Sequence, residues 1–144
     1  MESTIQFKIL TNSHEMMDCY ELIKLLNPKL GQQEYAHLIS EMIPNHYKQL
    51  IALQNGLIMG VCGYWINTKI YCGKYIELDN VVVDSNNRNK KIGEQLCLKV
   101  LEIAEKEHCK VAMLDAYLEN EEAHRFYERQ GYRKKGFHFI KKLN

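Results

Sequence analysis

Residues 81–93 read Val-Val-Val-Asp-Ser-Asn-Asn-Arg-Asn-Lys-Lys-Ile-Gly, an apolar strand running through a loop into the start of a helix. A helix start presents backbone N–H groups without intrahelical acceptors, together with a partial positive charge. Arg88, Lys90 and Lys91 add full charges, and Gly93 allows a ligand close to the backbone. The chemistry this suits is anion binding, with a pyrophosphate the natural guest. On physics alone a solvated basic turn before an ordinary helix fits equally well. The glycine spacing matches neither a Walker loop nor a dinucleotide fingerprint. Just upstream, Glu77 and Asp79 stand two residues apart, which on a strand places both carboxylates on one face. The six histidines show no triad or metal spacing, and the five cysteines are odd in number and also lack metal-ligand spacing. Free thiols buried in a protein of a reducing cytosol are the expectation for the cysteines.

Elements of regular structure must position these groups. Ile5, Phe7 and Ile9 alternate with polar residues and predict an opening strand. Asn12 or Ser13 then offers an N-cap for a helix that carries Met16, Met17, Tyr20, Leu22, Ile23, Leu25 and Leu26. Gly31 introduces a second helix, with Tyr35, Leu38, Ile39 and Met42, that ends before Pro44. Two apolar runs, 47–53 and 57–66, flank Asn55-Gly56, a dipeptide whose tolerance of positive φ marks a hairpin. A further strand pair is expected over 70–72 and 75–83. Alternation breaks at the three valines, which predicts a bulge near Val81. From Ile92 the apolar period becomes helical through Leu96, Val100 and Ala104. Residues 111–114 read as a short buried strand, Asn120 caps a last helix that Gly131 stops, and 132–140 reads as a closing strand. The fold class is therefore α/β, a mixed sheet with helices on its faces.

Length and composition bound the function. A chain of 144 residues is expected to form one domain over 1–144. Nineteen Lys and Arg against eighteen Asp and Glu leave a net charge of +1, which argues against nucleic acid or an anionic membrane as partner. The longest apolar run, 57–66, is too short to span a bilayer, and the amino terminus does not read as a signal peptide. A cytoplasmic protein is expected. Exposed strand edges make a homodimer an open expectation.

Residues 88–93 resemble the acetyl-CoA signature Arg/Gln-x-x-Gly-x-Gly/Ala of the GNAT N-acetyltransferase superfamily. They match at Arg88 and Gly93 and depart at Lys91, where the family usually has its first glycine. Residues 78–84 look like the family's central strand. Residues 120–132 follow its distal pattern Asn-x-x-Ala-x-x-Phe-Tyr-x-x-x-Gly-Phe/Tyr. The resemblance covers essentially the whole chain and implies a mostly antiparallel sheet in the order β-α-α-β-β-β-α-β-α-β. It implies direct transfer of acetyl from acetyl-CoA, with no metal, to a primary amine of a small molecule or peptide. A catalytically silent acyl-CoA-binding or regulatory module is the alternative.

The resemblance also implies site residues. Val81, Val82 and Val83 would line the pantetheine arm, with backbone groups of Val81 and Val83 pairing with it. The loop and helix start, through Arg88, Asn89, Lys90, Lys91, Ile92, Gly93 and Glu94, would hold the pyrophosphate. Asn120, Ala123, Phe126 and Tyr127 would complete the cofactor side, with Tyr127 donating to the departing sulfur. The acceptor must lose a proton before it attacks. Glu77 and Asp79 are the candidates for that base, with Asp115 and Tyr117 behind them. Glu34 and Glu41 are candidates to meet a cationic amine. A positive φ at Lys91 would cost a lysine about 1 kcal/mol or more.

Overall fold

Asn55 and Gly56 take φ of 55° and 76°, the pair of left-handed residues that a tight hairpin requires. They join two strands of a sheet in a computed structural model that describes residues 4–86 and 91–144. The elements are β1 (Gln6–Leu10), α1 (Ser13–Met16), α2 (Tyr20–Leu26), α3 (Gln32–Met42), β2 (Tyr47–Gln54), β3 (Leu57–Lys69), β4 (Gly73–Val83), α4 (Ile92–Lys106), β5 (Val111–Leu114) and α5 (Glu121–Arg129). The sheet runs in the order β1-β2-β3-β4-β5. The first four strands are antiparallel in sequence, and β5 lies parallel to β4. A parallel neighbour needs a crossover, and α4 supplies it. The α/β class and the mostly antiparallel sheet agree with the expectation.

Each face of the sheet carries its own core. On one face Ile92, Leu96, Cys97, Val100 and Ala104 of α4 pack against Leu50, Cys62, Tyr64, Ile76 and Leu78. On the other, Met16, Cys19, Tyr20, Ile23, Tyr35 and Ile39 from the amino-terminal helices cover Tyr47, Ile51, Val61 and Val82. Gly60 permits the close approach of α4, because a Cβ there would stand 3.0 Å from Leu96 Cδ1 and 3.2 Å from Ile92 Cγ2. No helix among the described residues is long and apolar enough to cross a membrane.

Several local expectations need correction. The first helix is divided by a 3-10 turn at Met17–Cys19. Residues 70–72 form a turn rather than a strand, because β3 runs on to Lys69 and Gly73 supplies the reversal with φ +77°. The strand at 111–114 is half-exposed rather than buried, since it is a sheet edge. The closing strand over 132–140 is not formed. That segment keeps the alternating sequence of a strand but forms no strand pairing among the described residues, and Phe137 and Phe139 stand 75% and 93% exposed. Period-two patterning says which face of a strand is apolar and nothing about whether a pairing edge is available.

Candidate functional site

Asn80 adopts φ +57° in the middle of β4 and breaks the register there. Asp79 pairs with Gly63 and Val82 with Val61, so Asn80 and Val81 together oppose Cys62. This is a bulge at the position where the sequence pattern breaks. An extra residue reverses the alternation that follows. Ile76 and Leu78 face α4, and beyond the bulge Val81 and Val83 also pack against the α4-side core. Val82 instead joins the core under the amino-terminal helices.

The bulge coincides with a parting of strands. Pairing between β4 and β5 spans only Tyr75 with Val111 through Leu78 with Leu114. From Asp79 to Val83, β4 has no strand neighbour on that side among the described residues. Among the described residues nothing pairs with its backbone donors and acceptors on that side, where an extended ligand could take them. Carbonyl and N–H groups along such an edge pair readily with an amide-bearing chain.

The start of α4 lies where β4 ends. A Cβ placed on Gly93 would sit 3.5 Å from Val83 Cγ2 and 3.8 Å from Phe126 Cζ, so β4, α4 and α5 meet at this glycine. Among the described residues no side chain caps α4, and its first-turn N–H groups, those of Ile92, Gly93 and Glu94, have no intrahelical acceptor. Ile92 as a whole is buried, so its side chain belongs to the core and offers a ligand nothing. Lys91 stands before the helix at φ 56° and ψ 30°, in the left-handed region where the signature glycine would sit without strain. Arg88, Asn89 and Lys90 lie outside the described residues.

On α5, Asn120 caps the helix through Oδ1, which accepts from Ala123 N at 3.1 Å. The cap orients Phe126 and Tyr127, whose rings meet edge-on at 5.0 Å. Both pack against the α4-side core that also receives Val81 and Val83. Burial pushes the Tyr127 hydroxyl well above the ordinary phenol range, and nearby Cys97, Cys62 and Tyr132 push the same way. Such a phenol stays protonated and acts as a hydrogen-bond donor.

The two strand carboxylates differ. Glu77 is half-buried beside Trp65 in register, and its carboxyl is raised by burial and next by Asp115, with Lys69 opposing. Asp79 accepts from Trp65 Nε1 at 3.0 Å and is thereby engaged. Asp115 pairs with His138 at 3.1 Å, Tyr117 is 79% exposed, and Glu41 pairs with His37 at 2.8 Å. Glu34 is exposed. Glu77 combines partial burial with a raised carboxyl on the strand that carries the bulge. Among the described residues no group of three or more His, Cys, Asp or Glu is arranged to hold a metal ion. Trp65, Tyr47 and Gly63, which surround the bulge, carry no functional motif in the sequence. Asn80, a residue tolerant of left-handed backbone at the break in alternation, was the available signal.

Residues 14–132 match the Acetyltransferase (GNAT) family. The chain is 31% identical over 131 residues to aminoalkylphosphonate N-acetyltransferase of Salmonella typhimurium, covering 86% of this chain and 82% of that protein. It is 26% identical over 124 residues to the uncharacterized N-acetyltransferase YhdJ of Bacillus subtilis, covering 85% and 87% of the two. Aminoglycoside N-acetyltransferase AAC(6')-Iy, solved in complex with CoA, shares the fold at TM-score 0.84 and 17% identity over 98% of this chain and 95% of its own.

Proposed function

Since the chain belongs to the Acetyltransferase (GNAT) family and its relatives are N-acetyltransferases, we propose that it moves acetyl directly from acetyl-CoA to the primary amine of a small molecule. The parting of β4 from β5 at Leu78, next to the Asn80 bulge, is the observation that carries this reading. Acetyl-CoA supplies the acyl thioester. Around it, the open edge of β4 pairs with the pantetheine amides through Val81 and Val83, while Val82 anchors the strand in the opposite core. The start of α4, from Lys91 to Glu94, holds the pyrophosphate together with Arg88, Asn89 and Lys90. Ala123 and Asn120 build the turn of α5 that presents Tyr127 to the sulfur.

Glu77 takes the proton of the incoming ammonium, directly or through water. A raised carboxyl is the better base near neutral pH, because it lies closer to the pKa of the proton it removes. Asp79, tied to Trp65, helps shape the acceptor side of the same sheet face. The Salmonella relative is named for an aminoalkylphosphonate, which favours a small amine over a peptide as acceptor. None of these observations favours a catalytically silent module. The test is thiol release from acetyl-CoA across a panel of small primary amines that includes an aminoalkylphosphonate. Release that depends on both substrates is expected, and none across the panel would overturn the reading.

We read residues 1–144 as one acetyltransferase domain that works in the cytoplasm, where its free cysteines stay reduced. Neither nucleic acid nor membrane enters the reading, and no metal does. A homodimer is favoured by the open edge of β5 and by the alternating apolar residues of the carboxy-terminal segment.

A further inference from the structure

Gln49 is fully buried on β2, and its Nε2 donates to Tyr35 Oη at 3.1 Å and to Tyr47 Oη at 3.0 Å. Both amide hydrogens are thereby committed. Each phenol oxygen accepts one of them, so each phenol's own hydrogen is free to be given onward. Tyr35 gives its hydrogen to the Met16 carbonyl at 2.7 Å. Tyr47 gives its hydrogen to Asn80 Oδ1 at 3.1 Å. The chain of donors therefore runs outward from Gln49, to a helix on one side and to the β4 bulge on the other. Burial holds both phenols protonated, with Tyr35 pushed up to about 12.

A second observation points to the same place. Gly63 lies across from Asp79, and a Cβ on it would collide with Tyr47 Oη and stand 2.7 Å from the Asp79 carbonyl oxygen. Only glycine leaves room for the Tyr47 hydroxyl to reach Asn80 there. Three strands thus contribute to one contact: β2 through Tyr47 and Gln49, β3 through Gly63, and β4 through Asn80.

We propose that Gln49, Tyr47 and Gly63 form a clamp that holds Asn80 in its left-handed conformation and so fixes the bulge for acetyl transfer. The proposal rests on the reading that the β4 edge receives the acyl-pantetheine arm. These are positioning residues, since none lies on the open edge itself. A bulge that shifts by one residue exchanges the faces of Val81, Val82 and Val83. The clamp prevents that shift.

The experiment compares Tyr47→Phe, Asn80→Gly and the double variant for kcat, KM, melting temperature and amide hydrogen exchange over residues 76–84. Tyr47→Phe should accelerate exchange at 79–83 and lower kcat by roughly 10- to 100-fold, as misplaced reacting groups do, with the KM for the amine little changed. Asn80→Gly in that background should restore most of kcat, because glycine adopts the left-handed conformation unaided, while the melting temperature stays lowered. A purely structural role for Tyr47 would move kcat and melting temperature together and leave the double variant no better than the single. Unchanged exchange in Tyr47→Phe would also overturn the clamp. Should Tyr47→Phe fail to fold, Gly63→Ala displaces the same hydroxyl, and normal exchange at 79–83 in that variant would count equally against it. A wild-type chain without turnover would sink the acetyl-transfer reading, and hydrogen exchange would still decide the clamp.

Discussion

The Tyr127 hydroxyl is held above the ordinary phenol range by burial and by Cys97, Cys62 and Tyr132 around it. A phenol so weakly acidic does not surrender its proton at neutral pH but offers a hydrogen bond to a developing thiolate. Tyr127→Phe should therefore lower kcat by roughly 100-fold, the low end for a lost proton donor, with little change in cofactor affinity. Equal kcat in both proteins would remove Tyr127 from the chemistry. Glu77 makes a prediction in two parts. If it is the base, the rate climbs as pH rises through its raised pKa, and Glu77→Gln flattens that limb as it lowers kcat. The same shift has a consequence for stability. The native state binds the Glu77 proton more tightly than the unfolded state, so the charged form costs stability above the folded pKa and nothing below the unfolded one. Glu77→Gln should thus melt higher than the wild type at neutral pH, with the gain fading on acidification through and below the ordinary glutamate range. A gain that persists in acid would show that the raised carboxyl is not its source. Both residues stand out in the sequence as types and spacings. Their ranking does not, because only packing distinguishes a half-buried Glu77 from an Asp79 tied to Trp65.

At the scale of elements, the start of α4 and the cap of α5 are where the sequence departs from or meets its pattern. Lys91 sits at φ 56°, a conformation that costs a non-glycine residue about 1–2 kcal/mol, part of which glycine would lose again through its more flexible unfolded chain. Lys91→Gly should raise the melting temperature by roughly 2–4 °C, the shift expected of about 1 kcal/mol in a domain of this size. A lower melting temperature would mean that the lysine side chain contributes more than its backbone strain costs. Helix α5 has no fully buried residue, so it depends heavily on its cap. Asn120→Ala removes the bond to Ala123 N, costs about 1 kcal/mol and should fray the turn that orients Tyr127. A kcat that falls, a melting temperature lowered by roughly 2–4 °C, and faster amide exchange confined to 120–127 are the expected signature. The hairpin at Asn55-Gly56, the cap at Asn120 and the stop at Gly131 were legible because each is a local conformational requirement met by one or two residue types. The division of the first helix by a 3-10 turn was not legible, since no glycine or proline marks it.

The molecule is a sheet with a separate core on each face, and among the described residues β5 is an open edge and residues 132–144 have no strand partner. Phe137, Phe139, Ile140 and Leu143 all stand at least 75% exposed. Pairing of this segment with a second copy would cover them, so the protein should elute at twice its 17.0 kDa mass at micromolar concentration. The double substitution Phe137→Ser with Phe139→Ser should return it to a monomer without loss of the fold. A wild-type chain that sediments as a monomer would refute the homodimer. The sequence by itself determined the α/β class, the hairpin, the starts of α3, α4 and α5, the stop after α5, and the family. Each of these follows from local propensity, from the period of apolar residues, or from short motifs whose spacing survives in one dimension. Only the tertiary structure decided how far β4 pairs with β5, which faces the valines take beyond Asn80, which carboxylate is half-buried, and that 132–140 forms no strand. Those outcomes depend on what lies across the sheet. Tyr47 reaches Asn80 from 33 residues away because Gly63 leaves the space, and no local pattern in the chain records that meeting.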